Sequence, residues 1–433
     1  MAQPVTRCDV VVIGGGPAGS AISALLADEG WHVEVLEKDH HPRFHIGESL
    51  LPHTLPYLKR LGVLDEIEQI GLRKYGAELI SPYHDKAHTL YFSRALDKSH
   101  PYAFQVRRSE FDQILLKNAV RKGARVHEGV TATHAGFGNH EGVNITAVDE
   151  QGKESCWQGR FLVDATGRQT FLSNQLHLKR RNKKHNSAAI FSHFEGVERH
   201  PGRDEGNITI CWFDYGWFWI IPFKDGVTSV GAVCWPSYLK TRENGLDQFL
   251  WDTIQRSPFV AQRLKKAKAI MPAVATGNYS YQAVQMAGDR FIVIGDAFAF
   301  VDPVFSTGVH LALSSAQLGA SVVVSQLRES SNRSKVLREF EKTVAQTIKT
   351  YSWFIYRFTQ PAFRNLFMKP RNWFRMEETI LSILAGDVFS GTQRRIPVFL
   401  FKLIYYITAA FAPRFNLANY RNRQRGAEEL KGF

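Results

Sequence analysis

Near its start the chain reads Asp9-Val10-Val11-Val12-Ile13 and then Gly14-Gly15-Gly16-Pro17-Ala18-Gly19. A short apolar run closing on glycines is the pattern of a buried parallel strand. Gly14 permits the tight turn, Gly16 lets a pyrophosphate approach the backbone, and Gly19 lets the following helix pack on the strand. Ala18 to Ala27 supplies that helix, whose free N–H groups and positive dipole end face the phosphates. His32-Val33-Glu34-Val35-Leu36 is a second strand, and it ends on Glu37. An acid roughly 20 residues past the glycines is where a ribose hydroxyl binds. Strand, turn, helix, strand and acid in this order predict an α/β, Rossmann-like dinucleotide-binding domain.

The rest of the chain divides by pattern. Phe161-Leu162-Val163-Asp164-Ala165-Thr166-Gly167 is a strand running into a small-residue turn, and Arg290 to Asp296 returns to the same framework. Between about 187 and 280 the pattern is strand-like, predicting an antiparallel sheet inserted as a substrate domain, with about 76–105 contributing. A helix is expected from Pro52 to Leu64, another capped by Ser109, and a long one from Thr307. The expected boundaries are 1–333 for the nucleotide-binding module with its insert, and 334–433 for a helical, aromatic and basic C-terminal region.

Charge is concentrated there. The 433 residues carry a net +13, and Arg328 to Phe433 holds 19 Lys and Arg against 8 Asp and Glu. Such a region favours an acidic partner; no nucleic-acid recognition motif accompanies it, so nucleic acid is not expected. Lys179-Arg180-Arg181-Asn182-Lys183-Lys184 reads as an exposed basic loop. Cys8, Cys156, Cys211 and Cys234 lack metal-type spacing, so no metal is expected, and they suit a reducing cytoplasm. No signal peptide is expected, since Met1 to Asp9 is short and polar and the strand follows at once. The apolar stretch 396–413 is at the lower limit of a membrane span, but Pro397 and Lys402 interrupt it, so it is expected to pack on the body or touch an interface.

Several motifs now act together. Gly14 to Gly19, Glu37, Gly47-Glu48-Ser49, Arg108 with Phe111-Asp112, Asp164-Ala165-Thr166-Gly167 and Gly295-Asp296 resemble the FAD motifs of group A flavin monooxygenases, over about residues 8–325. Within that superfamily the chain resembles the flavin-dependent halogenases. Trp217-x-Trp219-x-Ile221-Pro222 is similar to their WxWxIP signature. Phe300-x-x-Pro303-x-x-Ser306-x-Gly308 is similar to a second one, and Lys74-Tyr75-Gly76-Ala77 to the segment bearing an active-site lysine. Pro361 to Phe367 and Leu384 to Asp387 resemble the branch acting on phenols or pyrroles, often tethered to a carrier protein.

The resemblance implies FAD used as FADH2 from a separate flavin reductase, with O2 and chloride or bromide forming hypohalous acid. It implies a catalytic Lys74, relaying the halogen as a hydrogen-bond donor or as a haloamine. It implies flavin contacts from Gly14, Gly16, Pro17, Ala18, Gly19, Glu37, Lys38, Arg43, Glu48, Ser49, Arg108, Asp296, Pro303, Gly308 and Val309. Thr307 and Gly308, at a helix start, would hold the halide. Trp217, Trp219, Ile221 and Pro222 would wall the flavin chamber from the substrate. An acidic acyl or peptidyl carrier protein is the implied partner. Two alternatives stay open: an aromatic hydroxylase on the same scaffold, which gives Lys74 no role, and a flavoprotein adaptor docking through its C-terminal region. Against the first, glycine does not directly follow Asp164 as the hydroxylase motif requires.

Overall fold

A computed structural model of the chain describes residues 5–138, 142–182, 187–277, 280–368, 372–388 and 395–411. The first sheet has Val5–Ile13 at its centre, flanked by Val33–Glu37 and Glu154–Asp164, with Arg125–Glu128 and Phe291–Val293 outside them. All of these pairings are parallel. The register aligns Ile13 with both Leu36 and Asp164, and Asp164 with Val293. Four strand ends, and the turns that follow them, therefore converge on one edge, where ligands bind in sheets of this kind. The central strand residues Val10, Val11 and Val12 are wholly buried, as a strand covered on both faces requires. Pro17–Asp28 covers one face together with Thr307–Leu327. The latter is the one described helix long and apolar enough to cross a membrane, but 67% of its apolar window is buried in the protein, which makes it a core helix.

The second sheet runs Lys268–Ala269, Ala188–Glu195, Thr228–Cys234, Gly216–Pro222, Ile208–Phe213, Gly76–Ser81 and Lys86–Tyr91. It is mixed, where the pattern predicted an antiparallel sheet: Ile208–Phe213 lies parallel to Gly76–Ser81, with Ile208 opposite Ala77. Parallel neighbours need a long crossover, and the chain between these two strands returns through the first sheet before it comes back. Gly216–Pro222 alternates as predicted. Trp217, Trp219 and Ile221 join one core with Phe305, Phe354, Phe358 and Phe363, and Phe218 and Ile220 join a second core on the opposite face. The helices Arg333–Ile355, Pro361–Met368 and Met376–Leu384 pack over the tryptophan face.

Local expectations fail where turn chemistry or tertiary pairing overrides pattern. The helix expected over Pro52–Leu64 stops at Leu61, because Gly62 takes φ +77°, and a second begins at Leu64. The helix expected to be capped by Ser109 starts at Arg108 instead, with no side-chain cap. Lys179–Arg181 is a short strand paired with Tyr281–Ala283 rather than a loop. Three helices between Pro236 and Arg263 interrupt the stretch read as strands.

Candidate functional site

The turn after the first strand shows why Gly14 and Gly19 cannot be replaced. Gly14 has φ +102°, and a Cβ there would sit 2.5 Å from Ala165 O. A Cβ at Gly19 would sit 1.8 Å from Gly14 O. Helix Pro17–Asp28 consequently lies hard against the strand end, its first N–H groups opening on a cavity of about 340 Å³. That size falls in the range of small-molecule and cofactor sites.

Gly14, Gly16, Pro17, Ala18, Glu37, Lys38 and Arg43 line one part of this cavity. Glu48, Ser49, Arg108, Asp296, Pro303, Gly308 and Val309 line it elsewhere, with Trp217, Trp219 and Ile221. Gly19 lies beneath the turn, and neither Thr307 nor Pro222 lines the cavity. Glu37 is buried, and its two carboxylate oxygens accept hydrogen bonds from Gly15 N (2.5 Å) and Asp39 N (2.9 Å). At the far side Ser306 takes φ +56°, and helix Thr307–Leu327 starts there with Gly308 facing open space. Charge, glycine backbone and a helix N-terminus at one end, with aromatic side chains at the other, suit a flavin dinucleotide.

Buried charges hold the segment Ile46–Ser49 in place. Arg108 forks onto Asp112, Nε to Oδ1 at 2.8 Å and Nη2 to Oδ2 at 2.9 Å, and its Nη1 donates to Ile46 O. Burial alone would raise the Asp112 pKa, but Arg108 holds it below the usual carboxylate range. Asp296 is raised to about 6 by burial, against the pull of Arg108 and Arg168. His45 is pushed down to about 4 by burial and by Arg108, so it is neutral at neutral pH.

Lys74 occupies a different place. It ends a short strand, Leu72–Lys74, paired with Ala103–Gln105, and only 1% of it is exposed. Its Nζ donates to Ser49 Oγ at 2.6 Å and lies 5.6 Å from the Phe92 ring centroid. Burial lowers its pKa to about 7. Lys74 lines a second cavity, of about 40 Å³, otherwise walled by Leu51, Leu79, Leu90, Phe92, Ile210, Phe305, Phe367 and their neighbours, and among the described residues it is the single ionisable group there. Ile208 and Ser306 line both cavities. The larger cavity thus meets Trp217, Trp219 and Ile221, and the smaller one meets Lys74.

Some residues at the site carry no signal in the sequence. His193 Nε2 lies 2.8 Å from Glu48 Oε1, both buried, and Phe44 sits edge-on to the His193 ring. His193 is a mid-strand histidine 145 positions from Glu48, so only the packing of the loop that carries Glu48 against the second sheet brings them together. Where no metal site was expected, His53, Asp97 and His100 place one ligand atom each within 4.8 Å, and none of the three lines either cavity.

The family model described as tryptophan halogenase matches residues 9–79 and 72–365. The chain is 31% identical to a 1H-pyrrole-2-carbonyl-[peptidyl-carrier protein] chlorinase of Pseudomonas fluorescens, over 90% of this chain and 91% of that protein. Among solved structures, the myxobacterial chondrochloren halogenase CndH is 29% identical, with a TM-score of 0.79 over 98% of this chain and 96% of its own. A flavoprotein/dehydrogenase from Cytophaga hutchinsonii is also 29% identical, with a TM-score of 0.85 over 92% of this chain and 98% of its own.

Proposed function

The chain belongs to the tryptophan halogenase family of flavin-dependent halogenases, and we propose that it halogenates an electron-rich phenol or pyrrole held on an acyl or peptidyl carrier protein. It is an FAD-dependent oxidoreductase. FAD, arriving as FADH2 from a separate flavin reductase, would supply the two electrons that convert O2, a proton and a chloride or bromide ion into hypohalous acid and water.

The residues of the larger cavity fit that cofactor. The Gly14–Gly19 turn and helix start would hold the pyrophosphate, Glu37 the ribose, and Lys38 and Arg43 would offset negative charge. Glu48 and Ser49, fixed through Arg108, would meet the flavin together with Asp296, Pro303, Gly308 and Val309. The free N–H groups at Thr307 and Gly308 would hold the halide. Trp217, Trp219 and Ile221, continued by Pro222, would keep the substrate off the flavin.

The observation that carries the reading is Lys74. Among the described residues it is the one ionisable group in the smaller cavity, it is hydrogen-bonded to a serine that lines the larger one, and its pKa is lowered to about 7. Both protonation states are then available near neutrality. The ammonium form donates a hydrogen bond to hypohalous acid. The amine form exchanges N–H for N–halogen with release of water, and the ring then takes the halogen and returns its proton to the amine. An electron-rich ring needs no further activation, and the apolar walls keep the oxidant from water.

The similar Pseudomonas fluorescens chlorinase is named for a pyrrole on a peptidyl carrier protein, and the basic C-terminal region suits an acidic carrier. Natural-product biosynthesis in the cytoplasm is the setting that fits a carrier-bound substrate and four cysteines that form no disulfide with one another. The test is product mass spectrometry with FADH2 regenerated, chloride or bromide present, and carrier-bound pyrrole and free phenols supplied. A halogen isotope pattern that disappears in Lys74→Ala is the expected result. A product that gains only oxygen, whatever the halide, would overturn the reading in favour of a hydroxylase.

A further inference from the structure

The helix Arg395–Phe411 is apolar on both sides but packed on one. On its inner side Phe401 and Tyr405 are buried against Trp353, Phe354 and Phe363. On its outer side Ile396, Phe399, Leu403, Tyr406, Ile407 and Phe411 are between 44% and 86% exposed. These six fall at intervals of three and four, apart from the adjacent pair at 406 and 407, which is a single stripe along a helix. Soluble surfaces rarely leave so large a contiguous apolar patch uncovered.

We propose that this stripe seats the enzyme on an anionic membrane surface, lying in the headgroup boundary rather than spanning the bilayer. Length argues for this posture: 17 residues make a helix of about 25 Å, short of a hydrocarbon core of about 30 Å. Charge argues for the lipid. The helix contains no acid, and Lys402 is its one cation after Arg395. By sequence, five further cations follow it, Arg414, Arg421, Arg423, Arg425 and Lys431, against Glu428 and Glu429 alone. An exposed apolar stripe next to a basic segment is what an interfacial helix needs to bind anionic headgroups. An acidic carrier protein would be recognised by the cations and gives no reason for six large apolar side chains in a row. The inner face of the same helix packs on Phe367, and Phe367 lines the Lys74 cavity, so an enzyme seated this way has its substrate side next to the bilayer.

The test is flotation of the full-length protein with vesicles of phosphatidylcholine alone, or mixed in equal parts with phosphatidylglycerol. Wild type is expected to float with the mixed vesicles, less so with added salt, and Phe399→Glu/Ile407→Glu to lose at least about 10-fold in partitioning. Phe399→Leu/Ile407→Leu should retain it. Both positions are exposed, so FAD binding and thermal midpoint should be unchanged in every variant, which separates lost seating from lost folding. Failure of wild type to float would overturn the proposal. So would wild type forming a dimer by light scattering that the Glu variant dissociates, since the stripe would then be an interface between two copies. Loss of carrier-protein binding alone, with flotation intact in the Glu variant, would also overturn it.

Discussion

Lys74 Nζ and Ser49 Oγ are 2.6 Å apart, and this hydrogen bond joins the boundary of one cavity to that of the other. Ser49 lines the larger cavity, and Lys74 the smaller, apolar one. The lysine's charge is expensive in this position. A buried ammonium loses its hydration, and a single neutral hydroxyl restores little of it. That cost is visible as the pKa lowered to about 7 by burial, and it is the property a halogen relay requires.

Stability should therefore depend on pH through this one residue. Between pH 7 and the ordinary lysine value of 10.5 the folded protein holds Lys74 neutral, while the unfolded chain holds it protonated. The unfolded state binds the extra proton, so this contribution makes stability rise with pH across that window, by about 1.4 kcal/mol per pH unit. Below pH 7 the full penalty remains. Lys74→Met fills similar volume without a charge, so it should be more stable than wild type at neutral pH, and the difference should shrink as pH approaches 10.5. Urea denaturation of both proteins at neutral and alkaline pH checks this. A difference that does not change with pH would show that Lys74 is not desolvated in solution.

How much of this was legible beforehand depends on the distance over which each feature is encoded. The glycine turn, its flanking strands and Glu37 lie within about 30 residues, and local pattern suffices to read them. The two-faced strand with Trp217, Trp219 and Ile221 is equally local, because side chains alternate along any strand. Lys74 is different. By composition a lysine beside a tyrosine reads as surface, and its burial follows from pairing with Ala103–Gln105 and from the apolar wall it shares with Phe367 and Leu384, which are 293 and 310 residues further on. Only the resemblance of Lys74-Tyr75-Gly76-Ala77 to a family segment singled it out. His193 had no such help, and its contact with Glu48 is set by the packing of a loop on the second sheet. Ser109 misled because capping preference is a local rule, and here the Arg108–Asp112 fork and the Arg108 bond to Ile46 O fix where the helix starts.

Two glycines should separate folding from cofactor binding. Gly19→Ala would put a methyl 1.8 Å from Gly14 O, a backbone atom that cannot move away without opening the strand–helix turn. It should destabilise by about 3 kcal/mol or more, as overpacking of a closely packed site does. Gly308→Ala places its methyl in open space on the cavity wall. In the first turn of a helix it should leave stability unchanged or raise it by about 0.5 kcal/mol. It should weaken FAD binding about 10-fold or more. Thermal melts and flavin titration of the two variants read both effects. Tight flavin binding by Gly308→Ala would mean that the cofactor does not approach this helix start.

The Arg108–Asp112 pair provides the sharpest separation of stability from site geometry. Arg108→Ala would leave the Asp112 carboxylate buried, with Arg43 Nη1 3.5 Å away in place of a forked partner. Removing one partner of a buried pair costs about 3–5 kcal/mol, whereas replacing both by apolar groups of similar volume is often neutral. Arg108→Met/Asp112→Leu should therefore recover most of the stability lost in the single variant. It should not recover the flavin. Arg108 also donates to Ile46 O at 2.8 Å and so holds the segment that carries Glu48 and Ser49. Without that donor the segment loses its tie at Ile46 whether or not the pair is replaced, and keeps those at Glu48 and Ser49. The expected outcome is a double variant with near-normal urea midpoint and FAD affinity reduced about 10-fold or more, with halogenation falling alongside. Recovery of both stability and flavin affinity would reduce Arg108 to a purely structural ion pair, and would leave the position of Ser49 beside Lys74 to be explained by the strand pairing alone.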